Sequence, residues 1–514
     1  MWLAWPPMPY TTPLLLVGLV PLMIAISRIK DSEKAKKGKE VFLTAGLSFL
    51  VWNTAGVYWL YNTISAVNPP VVAAFLSLIP FSLGALLMTF AFWLYYRLTR
   101  IANKYIAYAG LVSFYIAMEY LHQTWDLNFP WMTLGNGLSG MHQLAQWYEY
   151  TGVYGGSLWI LLSNILAFEA YKKVKMDVKG YTKSKPILIW GLVIAVPIGT
   201  SLTMYFRYVE KSAPVNVVVV QPNINPYEKF NIKSSHEQMN ILIHLSDSLG
   251  QPNTEYFVWP ETAIPTTTDE DQIRSSGSYL AAQQFLSKYK NGTLVTGIES
   301  VQFTGDVQQN YNSAMQVENS SNVQFYHKSK LVPGVEKMPF PEALSILKPL
   351  FAGFGGTTGG WGWQEKPEVF YAYSGIGVTP VICYESLWGE WIGEAVENGA
   401  QFISIIKNDG WWGNTSGKDQ HLLYAKLRSI ETRRYVVRSA NTGISAFINQ
   451  RGDITQRTKW WTRTAIKSDI NLNDDITFYV KSGDFIAKAL CFLAVLLALM
   501  ILLKRLFTKD TSQQ

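Results

Sequence analysis

The sequence predicts a molecule in two parts, a polytopic α-helical membrane domain joined to an α/β domain. Three observations predict it. Only 16% of the 514 residues are charged, against about 25% in an ordinary soluble domain, while 48% are hydrophobic and the mean hydropathy is +0.07. Apolar runs of membrane-spanning length crowd the first 206 residues and recur once near the C-terminus. The long segment between them alternates strand-like and helix-like stretches, the pattern of an α/β unit. The net charge of +7 does not argue for a nucleic-acid partner. Many of the basic residues sit in a few short connections between apolar runs, which is a topology signal.

Seven runs are read as spans: Pro13–Ile26, Val41–Tyr61, Pro70–Tyr96, Tyr105–Leu121, Gly155–Ala170, Pro186–Phe206 and Phe485–Leu503. Alternate connections are basic. Six Lys and Arg lie between Arg28 and Lys39; Arg97, Arg100 and Lys104 follow the third run, a Lys cluster from Lys172 to Lys185 follows the fifth, and Lys504, Arg505 and Lys509 follow the last. Segments 62–68 and 122–153 contain no Lys or Arg. The positive-inside rule then places the basic loops in the cytoplasm and the N-terminus, the 122–153 loop and the whole central segment outside. The expected organisation is 1–206 membrane helices, 207–484 an outer α/β domain, and 485–514 a closing span with a cytoplasmic tail. The Trp and Tyr near span ends read as an interfacial belt.

Within 207–484 the strand candidates are Val215–Val220, Tyr256–Trp259, Thr293–Gly297, Ser313–Val317, Val323–His327, Gly377–Ile382, Phe402–Ile406 and Ile444–Ile448. Amphipathic stretches at His236–Leu249, Tyr279–Tyr289, Trp391–Asn398 and Gln420–Arg433 lie between them. Gly353–Trp363 and Asp409–Gly417 are rich in Gly and Trp and read as loops.

Three polar residues stand directly after strand candidates: Glu261 in VWPETAIP, Lys328 in QFYHKSKLVP and Cys383 in GVTPVICYES. Side chains at strand ends can converge on one crevice. The three types also fit one chemistry. A thiol attacks as its thiolate, a carboxylate can take the thiol proton, and an ammonium can favour the thiolate and an oxyanion. Singly, each has a bland reading: a Glu or Lys after a strand is ordinarily solvated, and a lone Cys in an α/β core is ordinarily inert. The second cysteine, Cys491, lies in the last apolar run, so no disulfide is expected.

The strings WPETAIP, YHKSKLVP and VICYE resemble those of the carbon–nitrogen hydrolase (nitrilase) superfamily, which places Glu, Lys and Cys after three strands in that order. NFPWMTLGNG, VVVQPNI, QNYNSAMQV and NDGWWGNT, the last followed by the helix with His421, extend the resemblance to its membrane branch, the apolipoprotein N-acyltransferases. The resemblance implies a nitrilase-like α-β-β-α sandwich between an N-terminal set of spans and one closing span. It implies Glu261 as general base, Lys328 as oxyanion and thiolate partner, and Cys383 as nucleophile. Glu336 and Glu385 would support the lysine or its orientation, and the Tyr384 backbone N–H would complete the oxyanion hole. Phe230 stands where the family often has a substrate-contacting Trp, and Asn312 matches a family Asn near the pocket.

The implied reaction is transfer of an acyl chain from a phospholipid, phosphatidylethanolamine by family analogy, through a Cys383 thioester to the N-terminal amine of a diacylglyceryl-cysteine apolipoprotein. The implied place is the outer face of a bacterial inner membrane, with the catalytic domain periplasmic. Members usually have one span more than the seven counted here, and the missing one would precede Met1. Lys337 stands where relatives tend to be apolar, in the loop Gly334–Lys366.

That loop carries Phe340, Leu344, Ile346, Phe351, Phe354, Trp361 and Trp363. It reads either as an Ω-type cap on the core or as an apolar lid that admits acyl chains. Glu119, near the outer end of the fourth run, is either functional or interfacially solvated, and Lys488 is expected to snorkel. The six His show no metal-ligand spacing, so no metal is expected. No phosphate-binding Gly motif stands in the right context, and no cofactor is expected. The alternatives are a membrane-tethered amidase with water as acceptor, a non-catalytic lipid-binding module, and a transporter. The apolar loop argues against the first, the Glu–Lys–Cys set against the second, and the lack of an intramembrane charge path against the third.

Overall fold

The computed structural model describes residues 1–176, 185–226, 235–344 and 360–510. The chain forms two compact units. One comprises Met1–Tyr58, Ala74–Phe206 and the chain from Asp484; the other comprises Trp59–Ala73 and Arg207–Gly483.

Among the described residues six helices are long and apolar enough to cross a membrane: Thr12–Asp31, Lys37–Val57, Pro70–Thr99, Tyr148–Val174, Lys185–Arg207 and Phe478–Leu506. Pro70 stands at the start of its helix, where its missing N–H costs nothing. The expected fourth span lies in a real helix, Lys104–Thr124, which Asn103 caps by accepting from Tyr105 N and Ile106 N at 3.0 and 3.1 Å. It is not among the six, because its last turns carry Glu119, His122 and Gln123. These polar residues are buried, so Glu119 is not interfacially solvated. Its carboxylate accepts from Leu134 N at 2.7 Å and pins the 3₁₀ segment Leu134–Leu144. The NFPWMTLGNG string around it is folded inward, with Tyr148 OH donating to Gly135 O at 2.8 Å.

The second unit is two sheets. The first runs β13-β1-β2-β4-β5-β6, with β3 pairing onto β4. Its strands are β1 (Pro214–Gln221), β2 (Thr254–Val258), β3 (Ile264–Asp269), β4 (Thr293–Thr304), β5 (Val307–Glu318), β6 (Val323–His327) and β13 (Thr464–Asn471). The second runs β12-β11-β10-β9-β8-β7, built from β7 (Phe370–Tyr371), β8 (Gly377–Ile382), β9 (Phe402–Lys407), β10 (Tyr435–Ala440), β11 (Ala446–Ile448) and β12 (Ile454–Arg457). Parallel pairs occupy the middle, β1–β2–β4 and β8–β9–β10. Most of these strands are rich in apolar residues because both of their faces are covered.

The sheets face each other. The Tyr256 and Phe402 rings meet edge to face at 5.0 Å, and Ser439 Oγ donates across to Val220 O at 2.8 Å. Helices Ser235–Leu249 and Gly277–Leu286 cover the first sheet through Met239, Leu242, Phe285 and Leu286, against Val218, Phe257 and Leu294. Helices Gly389–Glu397 and Ser416–Thr432 belong to the second sheet's side. This is the α-β-β-α sandwich that the family resemblance implies. All eight expected strands are present. Five more were not anticipated: β3, β7, β10, β12 and β13. β10 (YVVRSA) hides from a hydropathy reading because Arg438 sits in its middle, fully buried. β13 (TAIKSDIN) is mostly polar because it lies on the sheet edge.

Candidate active site

Three strand ends deliver the predicted residues. β2 ends in Val258. The buried Trp259 then anchors the chain, its indole N–H donating to Ser246 Oγ at 2.8 Å. Gly297 of β4 lets the following turn lie flat against the sheet. A Cβ there would come within 2.4 Å of Thr262 N and 2.6 Å of Glu261 Cα. β6 ends in His327, and Lys328 N bonds Asn312 O of β5 at 2.9 Å. β8 ends in Ile382, so Cys383 opens the 3₁₀ turn Cys383–Leu387.

Cys383 has a left-handed backbone, φ +51°. That is an uncommon and costly conformation for a residue with a Cβ, and it persists only where its surroundings enforce it. Two side chains do so. Glu385 accepts from Ile382 N at 2.8 Å, and Ser386 Oγ donates to Cys383 O at 2.9 Å.

Lys328 is buried between two carboxylates. Its ammonium is 3.4 Å from Glu261 Oε1 and 2.7 Å from Glu336 Oε1. Burial alone would lower its pKa; the charges of Glu336, Glu261 and Cys383 outweigh that and hold it above the ordinary lysine value. Asn312 Nδ2 donates to Glu261 at 2.8 Å and reaches Glu336 at 3.4 Å. Glu336 is itself fixed by Val332 N, 2.8 Å from its other oxygen.

Glu385 does not meet the lysine side chain. It ties the Cys383 turn to the Lys328 loop, accepting from Tyr326 OH at 2.5 Å, Ser329 N at 2.6 Å and Lys330 N at 3.1 Å. Burial pushes its carboxyl up to about 7 while the Tyr326 phenol and the Ile382 amide pull it down. Cys383 itself is half-buried. Burial and the Glu261 charge push its thiol up to about 12, against the opposing pull of Lys407 and Lys328.

Glu261, Lys328, Glu336 and Asn312 thus form one hydrogen-bonded cluster, and Cys383 senses its charges. Tyr384 is buried beside Trp388, with ring centroids 4.9 Å apart. Phe230 lies outside the described residues, as do Ile346, Phe351 and Phe354 of the apolar loop. Of that loop, Gly362 N bonds Asn310 O at 2.7 Å, and Trp363 is exposed.

The sequence reading missed a second polar cluster on the other side of Cys383. Lys407 ends β9, which runs parallel to β8 with Ile406 opposite Ile382, so Lys407 comes next in register to Cys383. It bonds Asp409 and His421 Nδ1 at close range. Asp409 also takes the Arg438 guanidinium at 2.8 Å, and His421 Nε2 meets Ser386 Oγ at 2.7 Å. One signal was available. FISIIKND is an apolar core strand that ends in a lysine and an aspartate, and a charge at the end of a buried strand needs a partner.

Family models match both parts of the chain. Residues 1–166 match the model of the apolipoprotein N-acyltransferase N-terminal domain, and residues 216–476 match the carbon-nitrogen hydrolase model. A curated apolipoprotein N-acyltransferase of Chlorobaculum tepidum is 27% identical, over 98% of this chain and 94% of its own length. One of Geobacter metallireducens is 27% identical, over 94% and 90%. One of Pseudomonas aeruginosa strain UCBPP-PA14 is 28% identical, over 83% and 81%. Among solved structures, a nitrilase-superfamily protein of Saccharomyces cerevisiae aligns with 53% of this chain and 93% of its own, at 18% identity and a TM-score of 0.38.

Proposed function

We propose that this chain, which belongs to the carbon–nitrogen hydrolase family, is an apolipoprotein N-acyltransferase that works through a thioester on Cys383. The observation that carries the reading is the Glu261–Lys328–Glu336–Asn312 cluster, which faces a thiol held in a strained turn. The membrane helices and the relatives' shared name supply the substrate class.

In the first half-reaction Glu261 takes the thiol proton and Sγ attacks the ester carbonyl of a phospholipid. The tetrahedral oxyanion is stabilised by the Lys328 ammonium and the Tyr384 backbone N–H. Collapse forms the thioester and breaks the ester C–O bond, and the proton held by Glu261 goes to the departing lysophospholipid. In the second half the N-terminal amine of a diacylglyceryl-cysteine lipoprotein attacks the thioester and gives its proton to Glu261. The amide forms, the thiolate leaves, and Glu261 returns the proton to it. Two displacements through one acyl-enzyme make a ping-pong scheme. Glu336 and Asn312 keep Lys328 and Glu261 aimed, and Glu385 holds the two loops together.

Phosphatidylethanolamine is the proposed donor, and the periplasmic face of a bacterial inner membrane is the proposed place. The alternation of basic connections with connections that lack Lys and Arg supports that orientation. The test is intact-protein mass spectrometry after incubation with a defined phospholipid. A hydroxylamine-labile acyl adduct on the wild type, stable until an amine acceptor is added and absent from Cys383→Ala, is expected. An adduct that decays in water alone would make the protein a hydrolase. No adduct, with equal lipid turnover by both proteins, would sink the nucleophile assignment.

A further inference from the structure

Charge counting around Cys383 gives unequal sides. The Lys328 side holds one ammonium against two carboxylates, Glu261 and Glu336, with the Glu385 carboxyl nearby. That lysine's charge is already spent. The opposite side holds two cations, Lys407 and Arg438, against the single carboxylate of Asp409. Lys407 and Arg438 share Asp409, one on each carboxylate oxygen, so the cluster carries one more positive charge than negative. Net charge is costly to bury, and a thiolate at the neighbouring strand end would be its complement.

A chain of hydrogen bonds ties this cluster to the nucleophile. The ammonium of Lys407 can only donate, so His421 Nδ1 accepts. The neutral imidazole then carries its proton on Nε2 and donates to Ser386 Oγ, 2.7 Å away. The Ser386 hydroxyl in turn spends its proton on Cys383 O, at 2.9 Å. Burial, with Lys407 beside it, lowers the His421 pKa to about 3, in keeping with that tautomer. The Trp412 ring lies 4.9 Å from the Lys407 ammonium and shields it from water.

We propose that Lys407 is a positioning residue for the thiol: a second buried ammonium, donated by β9, whose charge stabilises the Cys383 thiolate and whose relay through His421 and Ser386 holds the Cys383 carbonyl. The inference rests on the reading of Cys383 as nucleophile. The groups facing that thiol are Glu261, Lys328, Lys407 and Asp409, with Arg438 behind Asp409. Burial first, then Arg438, bring Lys407 down to about 8 against the pull of Asp409 and Cys383. Deprotonating the ammonium and deprotonating the thiol are therefore competing ways to lose one proton. The reactive ion pair stops gaining with pH once the pair has lost it.

The experiment is iodoacetamide alkylation of the full-length protein in detergent. Cys491→Ala leaves Cys383 as its sole thiol, and no lipid is present. Sγ displaces iodide, so the rate follows the thiolate fraction. In the wild type the logarithm of the rate is expected to rise with unit slope and flatten near pH 8. Lys407→Met should be slower by at least about tenfold at pH 7 and show no flattening there. Lys407→Arg should keep most of the rate and also lose the flattening. Lys407→Met with the wild-type rate and break, or Lys407→Arg as slow as Lys407→Met, would overturn the proposal. If Lys407→Met does not fold, the wild-type profile decides: a straight line through pH 8 overturns it. A wild type that alkylates as expected but never carries an acyl group would sink the proposed function and leave this inference standing.

Discussion

Lys328 and Lys407 are both buried ammonium groups at strand ends, one from each sheet, and they are built in opposite ways. Lys328 is bracketed by Glu261 and Glu336, with Asn312 bridging the two carboxylates. Lys407 shares its one carboxylate with an arginine and leans on a neutral imidazole and an indole. The first arrangement locks a charge in place; the second leaves one in excess. An oxyanion that comes and goes needs a fixed donor, whereas a thiol that must ionise needs uncompensated positive charge. In the proposed mechanism these two provisions come from different sheets.

Cys383→Ala should abolish acyl transfer, by at least about 10³-fold, measured as lipoprotein acylation with defined phospholipid. Lys328→Met should cost a similar factor in rate and also about 3–5 kcal/mol of stability, because it strands the buried Glu261 carboxylate and the half-buried Glu336. Lys407→Met should cost far less stability, since Asp409 keeps Arg438. Equal losses of melting temperature in the two variants would erase the distinction between a locked and a surplus charge.

Asn312→Leu comes next. It removes the donor 2.8 Å from Glu261 and should cost about 1–3 kcal/mol, read as slower thioester formation with an unchanged requirement for Lys328. The smallest effect is on stability against pH. The Cys383 thiol is raised from 9.0 to about 12 in the fold, so its contribution is complete below pH 9 and is lost as pH rises toward 12. Relative to Cys383→Ala, the wild type should lose melting temperature over that alkaline range and not below it.

Much of this was legible in the sequence. The eight core strands showed as apolar runs, and Glu261, Lys328 and Cys383 showed as polar residues immediately after three of them. Chain order alone could not show that Asn312, in the middle of β5, reaches Glu261. Nor could it show that Glu385 serves the Ser329–Lys330 backbone and not the lysine itself. The Lys407 cluster was hidden for a physical reason. Its members come from β9, β10 and the helix Ser416–Thr432, and each looks like an ordinary surface charge until the fold brings them together. Tyr105–Leu121 lies in the helix Lys104–Thr124, whose last turns bury Glu119, His122 and Gln123, and an apolar run alone does not show which polar side chains the fold draws inward.

The short segment Trp59–Ala73 clusters with Arg207–Gly483, although the helix Lys37–Val57 just before it belongs to the other unit. Trp59 meets the Trp412 ring at a tilt, with centroids 4.9 Å apart, donates its indole N–H to Gln420 at 3.0 Å, and covers Gly417 so closely that a Cβ there would come within 2.7 Å of its ring. Trp412 is the same indole that shields Lys407. The catalytic unit is therefore discontinuous in sequence. Excising residues 207–483 as a soluble enzyme would leave behind one of its own aromatic residues and uncover the wall next to the surplus lysine. Genetic dissection at the obvious boundary would cut through the module it aims to isolate.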